Sequence, residues 1–422
     1  MADVQTTLSQ IQGWTKEIEG EVQRLAFPKL ARATKRMPFK ERKRIGEAIV
    51  YPVWTSSEGG FTHGAGSSLR DAKAAASQQA RLSGEQITLR SLIDIKVLTS
   101  AATDKQSFGA YFTEHKIQCK RSFARRLETL NLYGNRSIAQ LSAVSGTSTT
   151  RVFTISEKTF APHIFLGTKT HALDAYNGTD KLNDIAPILI TSYNPRTREL
   201  AVSGNATDLT AVDGAGASTE LYWETTYGNM AAGLRAIGSE TGSVTYANIN
   251  HSSNPDTWQG TVVDCGSVAF DWDLLNQGLE EAAGKGCEAP LIAQCSLRTW
   301  GNLITDLNAL RAFDSSYQVE KGELGVKSIK FHGVNDMPVT IEPSGFIKRG
   351  EVIAFPDVSD GDYADLLERI GSTDVTSMHP LDSGEMVVQV PGTNFFETKY
   401  YSDQSVKANP RDVLVWENVV PR

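Results

Sequence analysis

The stretch from about Asp104 to Tyr133 constrains this chain more than any other, because it predicts one unbroken helix. Phe108, Phe112, Cys119, Phe123, Leu127 and Leu130 recur at helical spacing and form an apolar face, with Lys116, Lys120, Arg121, Arg125 and Arg126 on the other sides. Thr103 stands in the N-cap place and Gly134 in the C-cap place. At 1.5 Å per residue this is a rod of roughly 45 Å, long for a compact domain, where the mean helix has about 11–12 residues. The segment just before it has the opposite character. From Thr55 to Glu85 the chain is Gly, Ala, Ser and Gln with hardly a large apolar residue. It lies between two strand-like segments, Ala48 to Trp54 (AIVYPVW, whose Pro52 favours an edge strand) and Gln86 to Leu98 (QITLRSLIDIKVL). The pair predicts a long hairpin. A tip of about 30 residues far exceeds the two to five usual for a hairpin, so something outside the subunit is expected to order it.

The rest of the chain supplies the setting. Leu8, Ile11, Trp14, Ile18, Val22 and Leu25 predict a short amphipathic N-terminal helix that Pro28 stops. Between Arg151 and Trp223, short alternating strands broken by Asn177-Gly178, Asn194-Pro195 and Gly204-Asn205 predict a small β-barrel or sandwich. An α+β region follows. It has a helix at Trp272 to Ala283, a buried strand at Pro290 to Cys295 and a helix opened by Ser296, then strands near Lys327 to Pro343 and Glu351 to Pro356. Three strands close the chain, near Gly384 to Val390, Phe395 to Tyr401 and Val413 to Val419, and no internal repeat is visible.

Length and composition exclude several classes. At 422 residues, 40% hydrophobic and 22% charged, the chain is an ordinary globular sequence with room for two or three packed units. No apolar run approaches the roughly 20 residues that span a bilayer, so neither a signal peptide nor a membrane anchor is expected. Cys119, Cys265, Cys287 and Cys295 lack C-x-x-C spacing and read as reduced thiols. Net charge is −7, which argues against a dedicated nucleic-acid binder. The distribution is uneven. Lys29, Arg32, Lys35, Arg36, Lys40, Arg42, Lys43 and Arg44 stand against the single acid Glu41, leaving about −14 on the remainder. Phosphate contacts need only clustered cations, so this stretch suits packaged nucleic acid, acidic patches of a neighbouring subunit, or plain solvent.

A search for catalytic or ligand-binding patterns returns little. There is no metalloprotease, P-loop or EF-hand motif, and no two of the seven histidines are closer than eight residues. Ala283-Gly284-Lys285-Gly286 lacks the phosphate-loop spacing and reads as a helix C-cap. Asp357, Asp360, Asp362 and Asp365 fit no standard cation loop and read as a solvated turn. Gly64-Ala65-Gly66 reads as a source of flexibility. No cofactor, metal or catalytic residue is expected.

The run SAATDKQSFGAYFTEHKIQCKRSFARRLETLNLYGN, Ser100 to Asn135, resembles the spine helix of tailed-bacteriophage major capsid proteins, which begins in a Ser/Asp/Lys-rich turn and ends in a Leu-Tyr-Gly signature. Leu132, Tyr133 and Gly134 supply that ending. The hairpin looks like the family's extended loop, and Met1 to Arg44 like its N-terminal arm. TTYGNMAAGLRAIGSETG, leading into DWDLLNQGLEEAAGKGCEAPLIAQCSLRTWGNL, is similar to the axial domain. IKFHGVNDMPVTIEPSGFIKRGEVIAF resembles the family's late strand-turn-strand pattern, and NFFETKYYSDQSVKANPRDVLVWENV its closing strands.

The resemblance implies an α+β fold of the Hong Kong 97 type, with a long spine helix, extended β-hairpin loop, axial and peripheral domains, and a small β-barrel-like insertion. It implies an N-terminal arm at 1–45, the extended loop at 46–99, a peripheral domain with the spine helix at 100–146, and an axial domain at 147–390 carrying the insertion at about 151–226. Return strands of the peripheral domain occupy 391–422. It further implies a major capsid protein, not an enzyme, which self-assembles into pentamers and hexamers of an icosahedral or prolate shell around double-stranded DNA. The partners would be further copies of the chain, a portal, a separate scaffolding protein, a decoration protein, and DNA held by non-specific contact, with no membrane. Assembly would take place in the host bacterial cytoplasm and the product would be the virion capsid. Lys73 is the only lysine in the loop tip and nothing marks an Asn partner, so inter-subunit Lys–Asn cross-links of the kind some relatives form are not expected. Two other readings stay open: an encapsulin-like compartment shell, and a hydrolase with a β-rich accessory domain.

Overall fold

The computed structural model describes residues 32–42, 48–63, 71–94, 105–239, 245–311, 328–333, 337–359, 363–376, 387–389 and 395–420. The chain divides into two compact units. One comprises Met1–Ile49, Ser83–Glu128 and Arg369–Ser405, and the other Val50–Leu82, Thr129–Glu368 and Val406–Arg422. The expected helix at residues 4–25, the Thr103 cap and the Gly64-Ala65-Gly66 tip lie outside the described residues.

The first described elements are a short helix α1 (Arg32–Arg36) and a strand β1 (Phe39–Glu41). Next, β2 (Ala48–Trp54) and β3 (Ser77–Ser83) pair with each other as a two-stranded ribbon. The hairpin therefore exists, but its returning strand is SQQARLS and not the Gln86 to Leu98 segment. In β3 only Ala80 and Leu82 are buried among polar neighbours, a two-residue alternation that its Ser/Gln composition hides. After Gly84 the chain forms β4 (Glu85–Asp94), which pairs instead with a strand near the C-terminus. The long helix is α2 (Lys105–Tyr133), with Cys119, Phe123, Leu127 and Leu130 buried as their spacing predicts.

Strands β5 (Ala139–Thr147), β6 (Thr150–Ile155), β7 (Ala172–Asn177), β8 (Asp180–Lys181), β9 (Ile188–Asn194), β10 (Glu199–Ser203) and β11 (Glu220–Trp223) form one sheet in the order β11-β5-β6-β10-β9-β7-β8. Because β11 also pairs with β7, six of them close into a barrel, which removes the open edges a sheet would otherwise expose. Phe153, Ile155, Ile188, Ile190, Leu200 and Val202 are buried on alternate positions of β6, β9 and β10. The barrel begins at Ala139, and it carries a helix, α3 (Ala206–Ala215), where only strands were expected. The Gly204-Asn205 pair is a helix start and not a hairpin turn: the Asn205 side chain accepts from the Thr207 N–H at 2.8 Å.

The remaining elements are α4 (Leu234–Ile237), the small hairpin β12 (Thr245–Tyr246) and β13 (Ile249–Asn250), then β14 (Thr261–Asp264), α5 (Trp272–Gly284), β15 (Leu291–Cys295) and α6 (Leu297–Arg311). The strands β16 (Ile329–His332), β17 (Pro338–Pro343), β18 (Val352–Pro356), β19 (Leu367–Thr376), β20 (Val387–Gln389), β21 (Phe395–Ala408) and β22 (Leu414–Glu417) complete the chain. Six strands form a mixed sheet in the order β14-β22-β18-β15-β17-β16. Helices α5 and α6 pack into one core with it, through Leu275, Leu279, Ala282 and Leu303 against Val263, Ala293, Ile341, Ala354 and Trp416. Gly278 is required there, since a Cβ on it would lie 2.5 Å from the Trp416 ring. The Ala-Gly-Lys-Gly run ends α5 as expected. Gly286 sits at φ +83°, its N–H donates to Ala283 O at 2.9 Å, and the Cys287 N–H donates to Ala282 O at 3.0 Å.

A second sheet joins β1, β19, β21 and β20, with β4 also on β21, in register from Glu85–Gln404 to Asp94–Phe395. The ten-residue β19 is absent from the sequence expectation because its LERIGSTDVT run holds few apolar residues and a Gly. That Gly371 fits because a Cβ would strike the Asp403 carbonyl, 2.0 Å from its ideal position.

Candidate assembly surfaces

The sequence directs attention to surfaces and not to a pocket, and three regions bear on that expectation. At the end of α2, the Leu132-Tyr133-Gly134 signature is wholly interior. The Tyr133 hydroxyl donates to Phe346 O at 3.2 Å and accepts from the Lys348 N–H at 3.0 Å. The buried Lys348 ammonium lies 4.3 Å from the centre of the Tyr133 ring and donates to Ser137 O at 2.8 Å. Burial pushes its pKa down, helped by Arg235 and opposed by Glu351. Arg235 in turn bridges Glu351 at 3.2 Å and Glu417 at 2.5 Å. Gly134 is at φ +55°, and a Cβ there would fall 2.2 Å from Ala231 O, so the signature glycine serves a left-handed turn in close backbone contact. Leu132, Tyr133 and Gly134 are therefore buried and hydrogen-bonded inside the unit that holds Phe346 and Lys348.

The arm is the second region. Glu128 on α2 is fully buried and accepts from the Ala33 N–H at 2.9 Å, the Thr34 N–H at 2.8 Å and the Thr34 hydroxyl at 2.5 Å. It caps α1 from 94 residues away in sequence, so nothing local in the sequence could have revealed it. Burial raises its pKa against the pull of those donors. Downstream, β1 runs parallel to β19, pairing Phe39 with Arg369. The buried Arg369 guanidinium donates to Met37 O at 3.0 Å, Asp374 at 3.1 Å and Gln404 at 2.7 Å. These contacts fix the polypeptide that bears the basic cluster. Of that cluster, Lys35 and Arg42 are exposed, and Arg32, Arg36 and Lys40 are half-buried. Lys29, Lys43 and Arg44 lie outside the described residues.

The ribbon β2–β3 is the third region. Its ladder continues beyond the strands, with Thr55 N–H to Ala76 O and Gly59 N–H to Lys73 O, both at 2.9 Å, and Ser56 Oγ accepting from the Ala76 N–H at 2.8 Å. At its base the Arg81 N–H donates to Ala247 O at 2.8 Å. Trp54 and Phe61 are 66% and 73% exposed, large for residues that each carry about 150–250 Å² of surface to bury. No local sequence pattern marks either aromatic as exposed.

Elsewhere, Asp357 accepts from the Ser359 N–H at 3.1 Å and caps a turn, while Asp360 and Asp362 lie outside the described residues. All four cysteines are buried and none is in a disulfide. Among the described residues no group of three His, Cys, Asp or Glu side chains is placed to hold a metal ion, and no helix is long and apolar enough to cross a membrane.

This arrangement of spine helix, ribbon, barrel and two-helix-on-sheet body is that of the Hong Kong 97-type capsid fold. The particular likeness is to a chain of the capsid asymmetric unit of cyanophage A-1(L), with a TM-score of 0.52 at 11% identity over 95% of this chain and 94% of that one. The capsid of a native GTA particle aligns over 95% and 94% of the two chains at 7% identity and a TM-score of 0.46. A chain of Mycobacterium phage Cain aligns over 94% and 92% of the two chains at 10% identity and a TM-score of 0.42. No family model and no curated protein matches the chain.

Proposed function

We propose that this chain is a tailed-phage major capsid protein that works by self-assembly, forming pentamers and hexamers of an icosahedral or prolate shell around double-stranded DNA. The observation that carries the reading is the end-to-end match in fold to a cyanophage capsid chain, which covers 95% of this chain. The exposed ribbon agrees with it, because two bare aromatics on a preformed ladder suit burial against another subunit. In this reading 1–45 is the arm, 46–99 the extended loop, 100–146 the spine-helix region, 147–390 the axial domain and 391–422 the returning strands. Lys35 and Arg42, with the other cations of the arm, meet DNA phosphates or acidic groups of a neighbour. A portal, a separate scaffolding protein and a decoration protein are its expected partners. Assembly takes place in the host cytoplasm, and the virion capsid is its final location.

The test is expression of the chain, alone and with its neighbouring genes, followed by sedimentation and negative-stain imaging. Rings, tubes or closed shells are expected. A chain that stays monomeric under every salt condition would overturn the proposal.

A further inference from the structure

A second surface, beside the six-stranded sheet, is built from six segments. Glu157 lies in the turn after β6 and draws three guanidinium groups: Arg349 at 2.9 Å, Arg298 at 3.3 Å and Arg198 at 3.8 Å. Its neighbour Lys158 reaches Ser267 Oγ at 3.1 Å and Asn418 Oδ1 at 3.3 Å, and Asn418 donates to Asp264 at 3.0 Å. Arg198, Arg298, Arg349 and Lys158 thus gather on one surface around the carboxylates of Glu157 and Asp264. Two exposed apolar side chains flank them, Val268 at 53% and Leu297 at 47%.

The surface is preformed. Gly350 N–H donates to Lys158 O at 2.7 Å, Val419 N–H to Gly350 O at 3.1 Å and Val420 N–H to Val268 O at 3.0 Å, lacing the segments together. Arg198, Ser267 and Asn418 all sit at φ of +57° to +63°, a region that non-glycine residues enter at a cost and that concentrates at functional places. The patch lies at the ends of β14, β22 and β15, which run the same way: β14 is parallel to β22, and both β22 and β15 are antiparallel to β18.

The same body carries the complementary charge on a different side. Helix α5 turns Leu275, Leu279 and Ala282 to the core, and its opposite face exposes Asp273, Glu280 and Glu281, with Glu288 just beyond. Among the described residues no cation pairs with any of these four. Lys285, the lysine nearest them in sequence, places its ammonium on Gly260 O at 2.6 Å. Two different and complementary patches on one body make a head-to-tail contact, the kind that closes copies of one chain into rings.

We infer that the Arg198–Arg298–Arg349 patch, with Leu297 and Val268, docks the acidic face of α5 on a second copy of this chain. The inference rests on the shell reading and names a contact within it. Charge steers the two faces together and sets their register, and the two apolar side chains lose their water on docking.

Charge reversal in the full-length chain tests it. Arg198→Glu with Arg298→Glu, or separately Glu280→Lys with Glu281→Lys, should each raise the concentration needed for assembly about tenfold or more, with the melting temperature of the unassembled chain unchanged. The combined fourfold variant restores opposite charges across the contact and should recover assembly. Particle yield by sedimentation velocity and negative stain gives the readout. Reversed cations that leave assembly intact would overturn the inference, as would a combined variant no better than either parent. If the cation variant assembles normally but its shells lose retained DNA, the patch faces nucleic acid, and the inference falls while the shell reading stands. A wild-type chain that never assembles removes the shell reading itself.

Discussion

The two-helix body on the six-stranded sheet and the β2–β3 ribbon are built from the same chain by opposite rules. Every residue of β15 and β18 is buried, and the sheet is covered by helices whose own apolar faces it completes. The ribbon buries Ile49 on β2 and only Ala80 and Leu82 on β3, yet it holds two bare aromatics aloft on a hydrogen-bonded ladder. One region spends its apolar surface on itself and the other keeps it for something else. Stability therefore belongs to the body, and in the proposed function assembly falls to the ribbon and the charged faces.

Replacing Thr55–Ala76 by a two-residue Asn-Gly turn would break that comparison most sharply. The ribbon strands stay paired while Phe61 and the outer ladder go. Complete loss of particles is expected, with the chemical-denaturation midpoint of the monomer within about 1 kcal/mol of the parent. A monomer that unfolds instead would show that the ribbon belongs to the core.

Trp416→Ala probes the other side of the comparison. Trp416 packs on Gly278, touches Phe270 edge-on and donates to Leu274 O at 2.8 Å, so its loss should cost about 3–5 kcal/mol in urea unfolding. A cost under about 1 kcal/mol would mean the body repacks freely, contrary to the close fit described.

The smallest effect sharpens the picture at His251, which is fully buried with Nδ1 on Ser239 O at 2.8 Å. Burial holds its pKa below the ordinary 6.5, partly offset by that carbonyl. The unfolded chain takes up the proton first as pH falls. Stability is therefore retained above about pH 6.5 and lost below it, until the folded-state pKa is reached. The slope from this group is at most about 1.4 kcal/mol per pH unit. Denaturation midpoints measured from pH 7.5 to 5 should show that loss, and His251→Gln should flatten it. An unchanged slope in the variant would assign the acid sensitivity to other groups.

The parts that could be read from sequence are those whose cause is local. The α2 apolar spacing, the C-cap at Gly286 and the Ser296 start of α6 each depend on residues within a turn or two of each other, and each is found where expected. The ribbon's true partner strand, the helix α3 inside the barrel and the strand β19 were missed. In each, small and polar residues carry the element, and for β3 and β19 the strands they pair with lie far away in sequence. Glu128 is the clearest case, a carboxylate off the apolar face of its helix that caps α1 from 94 residues away.

The sequence by itself determined that this chain has a long rod beside a loop with little to bury, together with an ordering of elements that resembles phage capsid proteins. Helical periodicity and turn chemistry are written into neighbouring residues, and they survive whatever the chain packs against. Only the tertiary structure decided which surfaces are spent and which remain. That depends on pairings such as Arg81 with Ala247, Arg349 with Glu157 and Thr34 with Glu128, which bring distant residues together and which no local pattern records.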